Sequence, residues 1–321
     1  MSNNDNYHQL TRTFQRLSRF SHLSAIASWD MFTMMPPGGS KARGEALAEL
    51  SVLEHQLLTD PKVATWIAAA QQEDLNDVEQ ANLREMSRLH HQASLLPESL
   101  VEAKSLAGSR CEHAWRSQRP ANDWEGFSEN LKEVVKYSRE EARLRAEAKG
   151  CSPYDALLDI FEPGMTSAQL DVLFADVKSW LPDLLNKVVA KQSQQSLIAP
   201  VGPFPTAVQR ELGLETMAQL GFDFTAGRLD ISAHPFCGGV PEDVRITTRY
   251  DENELLSALF GVIHETGHAR YEQNLPRSWS GQPIALARST AIHESQSLFF
   301  EMQLGRSKAF LMRLIPAVTR H

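Results

Sequence analysis

The sequence has only three cysteines, Cys111, Cys151 and Cys237, widely spaced and without a CxxC pair. That set supports neither a disulfide framework nor a thiolate zinc site, and a reduced compartment fits it best. There is no run of about 18 apolar residues, so no transmembrane helix is expected. There is no excess of positive charge: 32 Lys and Arg are interleaved with 40 Asp and Glu for a net charge of −8. Nucleic acid and an anionic membrane surface are therefore poor partners. The start, MSNNDNYHQL, lacks the basic residues and apolar run of a signal peptide. Repeats and low-complexity tracts are missing as well, QSQQS at 192–196 being only a short polar loop. A cytoplasmic protein is expected.

What is present is mostly helix. The chain has 321 residues, 42% of them hydrophobic, enough for a substantial core and for one large or two ordinary domains. From Tyr7 to Asp30, Leu10, Phe14, Leu17, Phe20 and Leu23 recur at three- and four-residue intervals, the period of one helix face. A second helix is predicted from Lys41, and further ones over 61–72, 77–94, 97–118, 123–149, 167–193 and 205–220. MPPGGS (35–40), Pro97, GCSP (150–153), EPGM (162–165) and APVGPFP (199–205) separate them. Between 222 and 250 the texture changes to alternating β-branched residues. In Val244–Tyr250 the even positions share one face, while Arg245, Thr247 and Arg249 share the other. A small sheet is predicted there, directly before a helix over 253–273 whose buried side carries Leu255, Leu256, Leu259, Phe260 and Ile263.

That helix contains His264-Glu265-Thr266-Gly267-His268. Histidines four apart lie on one helix face and can reach one ion. Glu265, one residue round, can take a proton from a metal-bound water without spending a coordination position. The plain alternative is two unrelated histidines on an ordinary amphipathic helix. A third histidine of the metzincin kind is excluded, because Tyr271 and Asn274 stand where glycine and histidine would be needed. A carboxylate from a following helix can replace it. Ala291, Ser295, Leu298 and Phe299 give that segment a helical period, and Glu294 can face back toward the first helix. His293 is adjacent and competes for the place, but two histidines with one glutamate is the commoner companion of HExxH. Three protein ligands with an open position make a catalytic layout rather than a structural one.

Several segments together resemble the carboxypeptidase Taq family of zinc metallocarboxypeptidases. They are YDALLDIFEPGMT (154–166), GRLDISAHPF (227–236), DVRITTRY (243–250), HETGHARYEQ (264–273) and HESQS (293–297), and SWDMFTMMPPGGSKARGE (28–45) is similar too. The resemblance implies a mainly α fold, a helical HExxH zinc-peptidase fold with a deep cleft and a small β-sheet beside the active site. It implies stepwise removal of C-terminal amino acids from peptides with broad preference, in a cytoplasmic homodimer. His264, His268 and Glu294 match the zinc ligands, for one Zn2+ per chain with Co2+ as another divalent candidate, and Glu265 matches the general base. Arg245 sits in the family's Asp-x-Arg-x-Thr motif and His234 in its His-Pro-Phe motif.

A carboxypeptidase needs a cation for the free α-carboxylate, which a guanidinium binds bidentately. Arg245 and Arg249 are the candidates, against the alternative that they face solvent or pair with Asp243 or Glu242. His234 borders the site or packs a strand end. His293 meets substrate or groups behind the ligands, or simply packs. One helical metallopeptidase domain is expected over 1–321, with a scaffold (1–221), the sheet (222–250) and the zinc-site helices (251–321). Because the family pattern continues past FLMRLIPAVTRH (310–321), the expectation includes a C-terminally incomplete member. Two alternatives to the carboxypeptidase therefore stand: an inactive zinc-binding or dimerising module, and an oligopeptidase or endopeptidase of the same fold.

Overall fold

The structure is a computed structural model that describes residues 5–196 and 200–320. The predicted polar start falls partly on 1–4, and the first residue of the 199–205 break also lies outside the described residues. Twelve α-helices and three strands are found among the described residues. A helical layer comes first: α1 (Asp5–Thr33), α2 (Ser40–Leu58), α3 (Pro61–Ala70), α4 (Asp77–Ser94), α5 (Glu98–Gln118) and α6 (Trp124–Lys149). Then follow α7 (Pro153–Phe161), α8 (Ser167–Gln192) and α9 (Thr206–Gln219), the strands β1 (Gly227–Ile231), β2 (Cys237–Val240) and β3 (Asp243–Thr248), and finally α10 (Leu255–Gln273), α11 (Thr290–Leu298) and α12 (Lys308–Arg320).

The breaks act as the turn chemistry dictates. Asn76 and Glu79 form a reciprocal capping box at the start of α4, and Thr166 with Gln169 does the same for α8. Gly150 closes α6 in the left-handed conformation at φ 66°. One helix was not predicted. Between the breaks at 150–153 and 162–165, α7 forms with Ser152 as N-cap and Pro153 at its first position. Ala156, Leu157 and Ile160 give it a helical pattern of its own, and its caps set its bounds.

Tyr7, Leu10 and Phe14 of α1 pack against Val63 and Ile67 of α3 and Met86 of α4 to make the first core. The sheet has strand order β1-β3-β2, with β1 parallel and β2 antiparallel to the central β3. Val244 and Ile246 of β3 are buried against Val262 and Ala269 of α10 and Met217 of α9. Leu259 and Ile263, on another side of α10, join Leu212 of α9 with Phe310 and Leu314 of α12. So α10 is the shared wall of two cores. Leu256, expected on its buried side, is exposed instead, because it lies one and two turns before Phe260 and His264 on a side of the helix that lines a pocket with Arg306. Strand β3 ends at Thr248, two residues earlier than the alternating pattern.

Polar burial is paired. Glu141 of α6 is held by Lys104 of α5 and by Arg145 one turn on, whose Nη1 donates to the Gln92 carbonyl at 3.0 Å. By contrast α8 has no buried residue. Leu170, Phe174, Val177, Leu181, Leu184 and Val188 alternate at spacings of four and three along it.

Burial alone raises the Glu141 carboxyl, but the hydrogen bonds and charges of Lys104 and then Arg145 outweigh this and hold it below its ordinary value. Its stabilisation is therefore in place above the unfolded carboxylate range and is lost as pH falls through the lower folded value. Glu141→Leu leaves Arg145 buried without its partner, and is expected to destabilise by about 3–5 kcal/mol at pH 7. Denaturant unfolding at pH 7 and at pH 3 checks this, with the gap from wild type narrowing at the lower pH.

Candidate metal centre

α10 and α11 approach so closely that one residue has no room for a side chain. A Cβ on Gly267 would lie 2.6 Å from Ser297 Cα and 3.1 Å from the Gln296 carbonyl oxygen. Gln296 Nε2 donates to the Gly267 carbonyl oxygen at 3.1 Å across the same gap. The start of α11 is fixed from further away. Ser289 caps it by accepting from the Ile292 N–H, and the Glu162 carboxylate, at the end of α7, accepts from Ser289 Oγ and from the Ala291 N–H. EPGM thus does more than break a helix: its glutamate orients one of the two site helices.

The inward face of α11 is polar: His293, Glu294, Gln296 and Ser297 face α10, whereas Ala291, Ser295, Leu298 and Phe299 are exposed. The apolar residues that supplied its period mark the opposite face. Within the gap, His268 Nε2 lies 3.1 Å and His264 Nε2 3.8 Å from the Glu294 carboxylate. One ligand atom from each of these three residues lies within 4.8 Å of the other two. Ligands about 2.0–2.1 Å from a tetrahedral zinc stand roughly 3.4 Å apart, so two imidazoles and a carboxylate at these separations fit such an ion.

Glu265 is 7% exposed. Burial, reinforced by the Glu294 charge, raises its carboxyl from an ordinary 4.5 to about 7. The same burial, with His293 and His264 as neighbours and Glu294 opposing them, lowers His268 to about 4. An imidazole must be neutral to hold a metal ion, and this pocket favours the neutral form of His268. β2 abuts the site, and the Cys237 thiol is pushed well up by burial and then by the charges of Glu265 and Glu272.

The other candidates lie in different places. His293 is not one of the three converging donors. Its ring stacks on His268 with centroids 4.7 Å apart, its Nδ1 is 2.6 Å from His268 Nδ1, and its Nε2 is 2.7 Å from Glu272 Oε1. Arg245 is clamped by Asp243 through Nε at 2.9 Å and Nη2 at 2.7 Å, and lies over the Trp29 ring at 4.4 Å. Pairing with Asp243 was one of the alternatives for it. Arg249 is exposed just past β3, with no hydrogen-bond or ion-pair partner among the described residues. His234 is exposed and lines a cavity of about 760 Å³ with Phe32, Glu112, Trp115 and Arg116, a set that includes none of the three donors.

Two carboxylates at the site were not singled out from sequence. Glu301 Oε2 lies 3.1 Å from His264 Nδ1, and Glu272 meets His293. Helical spacing could have found both: Glu272 is four residues after His268, and Glu301 is seven after Glu294. Glu301 sits in a π-helical stretch, Phe299–Gly305, that continues α11.

The family model described as "Carboxypeptidase Taq (M32) metallopeptidase" matches residues 9–321. The chain belongs to that family. Thermostable carboxypeptidase 1 of Thermus thermophilus is 39% identical over 317 residues, and carboxypeptidase 1 of Bacillus subtilis is 35% identical over 299. Those alignments cover 94% and 92% of this chain but 62% and 59% of the relatives, so this M32 chain spans about three fifths of their length. Among solved structures, Trypanosoma cruzi metallocarboxypeptidase 1 superposes with a TM-score of 0.89 at 48% identity, covering 99% of this chain and 64% of that one. The M32 family implies a divalent metal, and the His264, His268 and Glu294 donors are of the kind that hold one.

Gly267→Ala is expected to push α11 away from α10, costing about 1–3 kcal/mol from overpacking. It should weaken metal binding more than a similarly destabilising substitution in the α1–α3 core. Parallel unfolding and metal-competition titrations make the comparison.

Proposed function

We propose that this chain is a zinc-dependent metallocarboxypeptidase, releasing C-terminal amino acids from peptides with broad preference, with His264, His268 and Glu294 as the ligands of one ion. The observation that supports it best is the buried Glu265 carboxyl beside three converging donors, in a chain of a metallocarboxypeptidase family. Zinc, when bound, supplies a Lewis acid that makes water more acidic and polarises a peptide carbonyl. Glu265 accepts a proton from the attacking water as its oxygen adds to the scissile carbonyl carbon. When the C–N bond breaks, Glu265 returns that proton to the leaving amine. A buried carboxylate beside the donors suits both transfers. Arg245 and Arg249 are the candidates for holding the substrate's terminal carboxylate, His234 borders the substrate site, and His293 acts from behind the ligands. Co2+ is a further candidate for the metal position, since nothing in an N2O donor set is specific to zinc.

A second assignment has one observation in its favour. Both parallel donors of Arg245 are taken by Asp243, which suits a chain that binds zinc without hydrolysis. An endopeptidase of the same fold differs only in leaving the cleft open past the cleaved bond. For location and assembly we propose a cytoplasmic homodimer. No described helix is long and apolar enough to cross a membrane, and the four-and-three apolar stripe of α8 supports association.

Mass spectrometry of an unstructured peptide incubated with the zinc-loaded chain is expected to show products shortened one residue at a time from the C-terminus. Glu265→Gln should slow their appearance by at least about 10²–10⁴-fold while zinc stays bound. Internal fragments would point to the endopeptidase, and zinc-bound chain without products to the non-catalytic module. In sedimentation velocity the chain should be larger than a monomer, and Leu181→Glu in α8 should shift it toward monomer. A wild-type monomer at all concentrations would contradict the homodimer.

A further inference from the structure

We propose that Glu301 and the Glu272–His293 pair are positioning residues, which fix both α10 imidazoles in the tautomer that can ligate a metal. The inference rests on the metal site proposed above and deepens it.

An imidazole ligates through one nitrogen only if the proton sits on the other. In His264, Nδ1 faces Glu301 Oε2 at 3.1 Å. A carboxylate offers only acceptors, so Nδ1 is the nitrogen that carries the proton and Nε2, toward Glu294, keeps its lone pair. Arg306 donates to the other oxygen, Glu301 Oε1, at 2.8 Å and holds the carboxylate in place while its guanidinium rests on the Phe260 ring at 4.3 Å.

For His268 the same outcome is reached through two links. Glu272 Oε1 at 2.7 Å requires the His293 proton on Nε2. In neutral His293 that makes Nδ1 the acceptor. The 2.6 Å contact between the two Nδ1 atoms holds one proton, which therefore belongs to His268. His268 Nε2, 3.1 Å from Glu294, then offers its lone pair to an ion shared with that carboxylate, an ion that takes the place of the proton the carboxylate would otherwise accept. In the reverse arrangement His268 would carry its proton at Nε2 and have no lone pair to offer there. Both histidines thus reach one tautomer by separate routes, with the groups behind them drawn from α10, α11 and the π-helical stretch. Partners of this kind orient the ring and raise ligand basicity.

The test compares the 321-residue chain with Glu301→Gln and Glu272→Gln, since an amide can donate as well as accept and no longer enforces the tautomer. Zinc dissociation constants from competition with a chromogenic chelator are expected to rise about 10–100-fold in each. Metal-free unfolding midpoints should stay close to wild type, which a merely structural role would not predict. Two-bond 1H–15N spectra of the zinc-loaded wild type should show Nδ1–H on His264 and His268 and Nε2–H on His293, so the inference is decided even where a variant fails to fold. Unchanged zinc affinity in both variants, or Nε2–H on either ligand histidine, overturns it. Wild-type chain that binds no zinc would overturn the metal site itself, whereas equal binding by wild type and variants would overturn the positioning roles alone.

Discussion

The site depends on the contact between α10 and α11 at Gly267. A Cβ there would lie only 2.6 Å from Ser297 Cα, so the two helices meet backbone to backbone at that point. Only this approach brings Glu294 to within hydrogen-bonding distance of His268, with Glu301 reaching His264 further along. The gap is held from several sides. Gln296 bridges it, Glu162 anchors the start of α11, and the two cores that share α10 keep that helix from moving back.

Placing that gap inside the fold has an electrostatic consequence. Glu265 is buried within reach of the more exposed Glu294 charge, and an ionised Glu265 held near 7 rather than 4.5 costs about 3 kcal/mol. Two other carboxylates of restricted exposure are matched by cations: Glu141 by Lys104 and Arg145, Glu85 by Arg88 and Arg288. This pair stands beside the converging donors, where a divalent cation would relieve it. A local electrostatic defect beside a candidate metal site is a common relation between stability and chemistry.

Strong periods and strong breakers were legible in the sequence. The long helices, the change to strands at 222–250 and the HExxH helix appear within a few residues of their predicted bounds. α7 was missed although Ala156, Leu157 and Ile160 give it a helical pattern, because it sits between two breakers that mark a gap between longer helices. Leu256 was misplaced because its side of α10 faces a pocket rather than a core, which the pattern of a single helix does not show. In α11 the apolar residues supplied the period while the polar ones face inward, so the helix was legible and its buried face was not. Glu272 and Glu301 were in register with His268 and Glu294, but nothing in a single helix shows what stands opposite it.

By itself the sequence determined the chemistry on offer: two histidines one turn apart, a glutamate between them, and a carboxylate on a later helix. These are local facts of side-chain type and helical spacing. Only the tertiary structure decided which groups those side chains meet. Glu294, and not His293, joins the two histidines as a converging donor, Arg245 is already clamped by Asp243, and Glu301 and Glu272 stand behind the imidazoles. The reason is that helix period fixes a residue's direction around its own axis, whereas distances between helices are set by packing, here by a single glycine that lets two backbones touch.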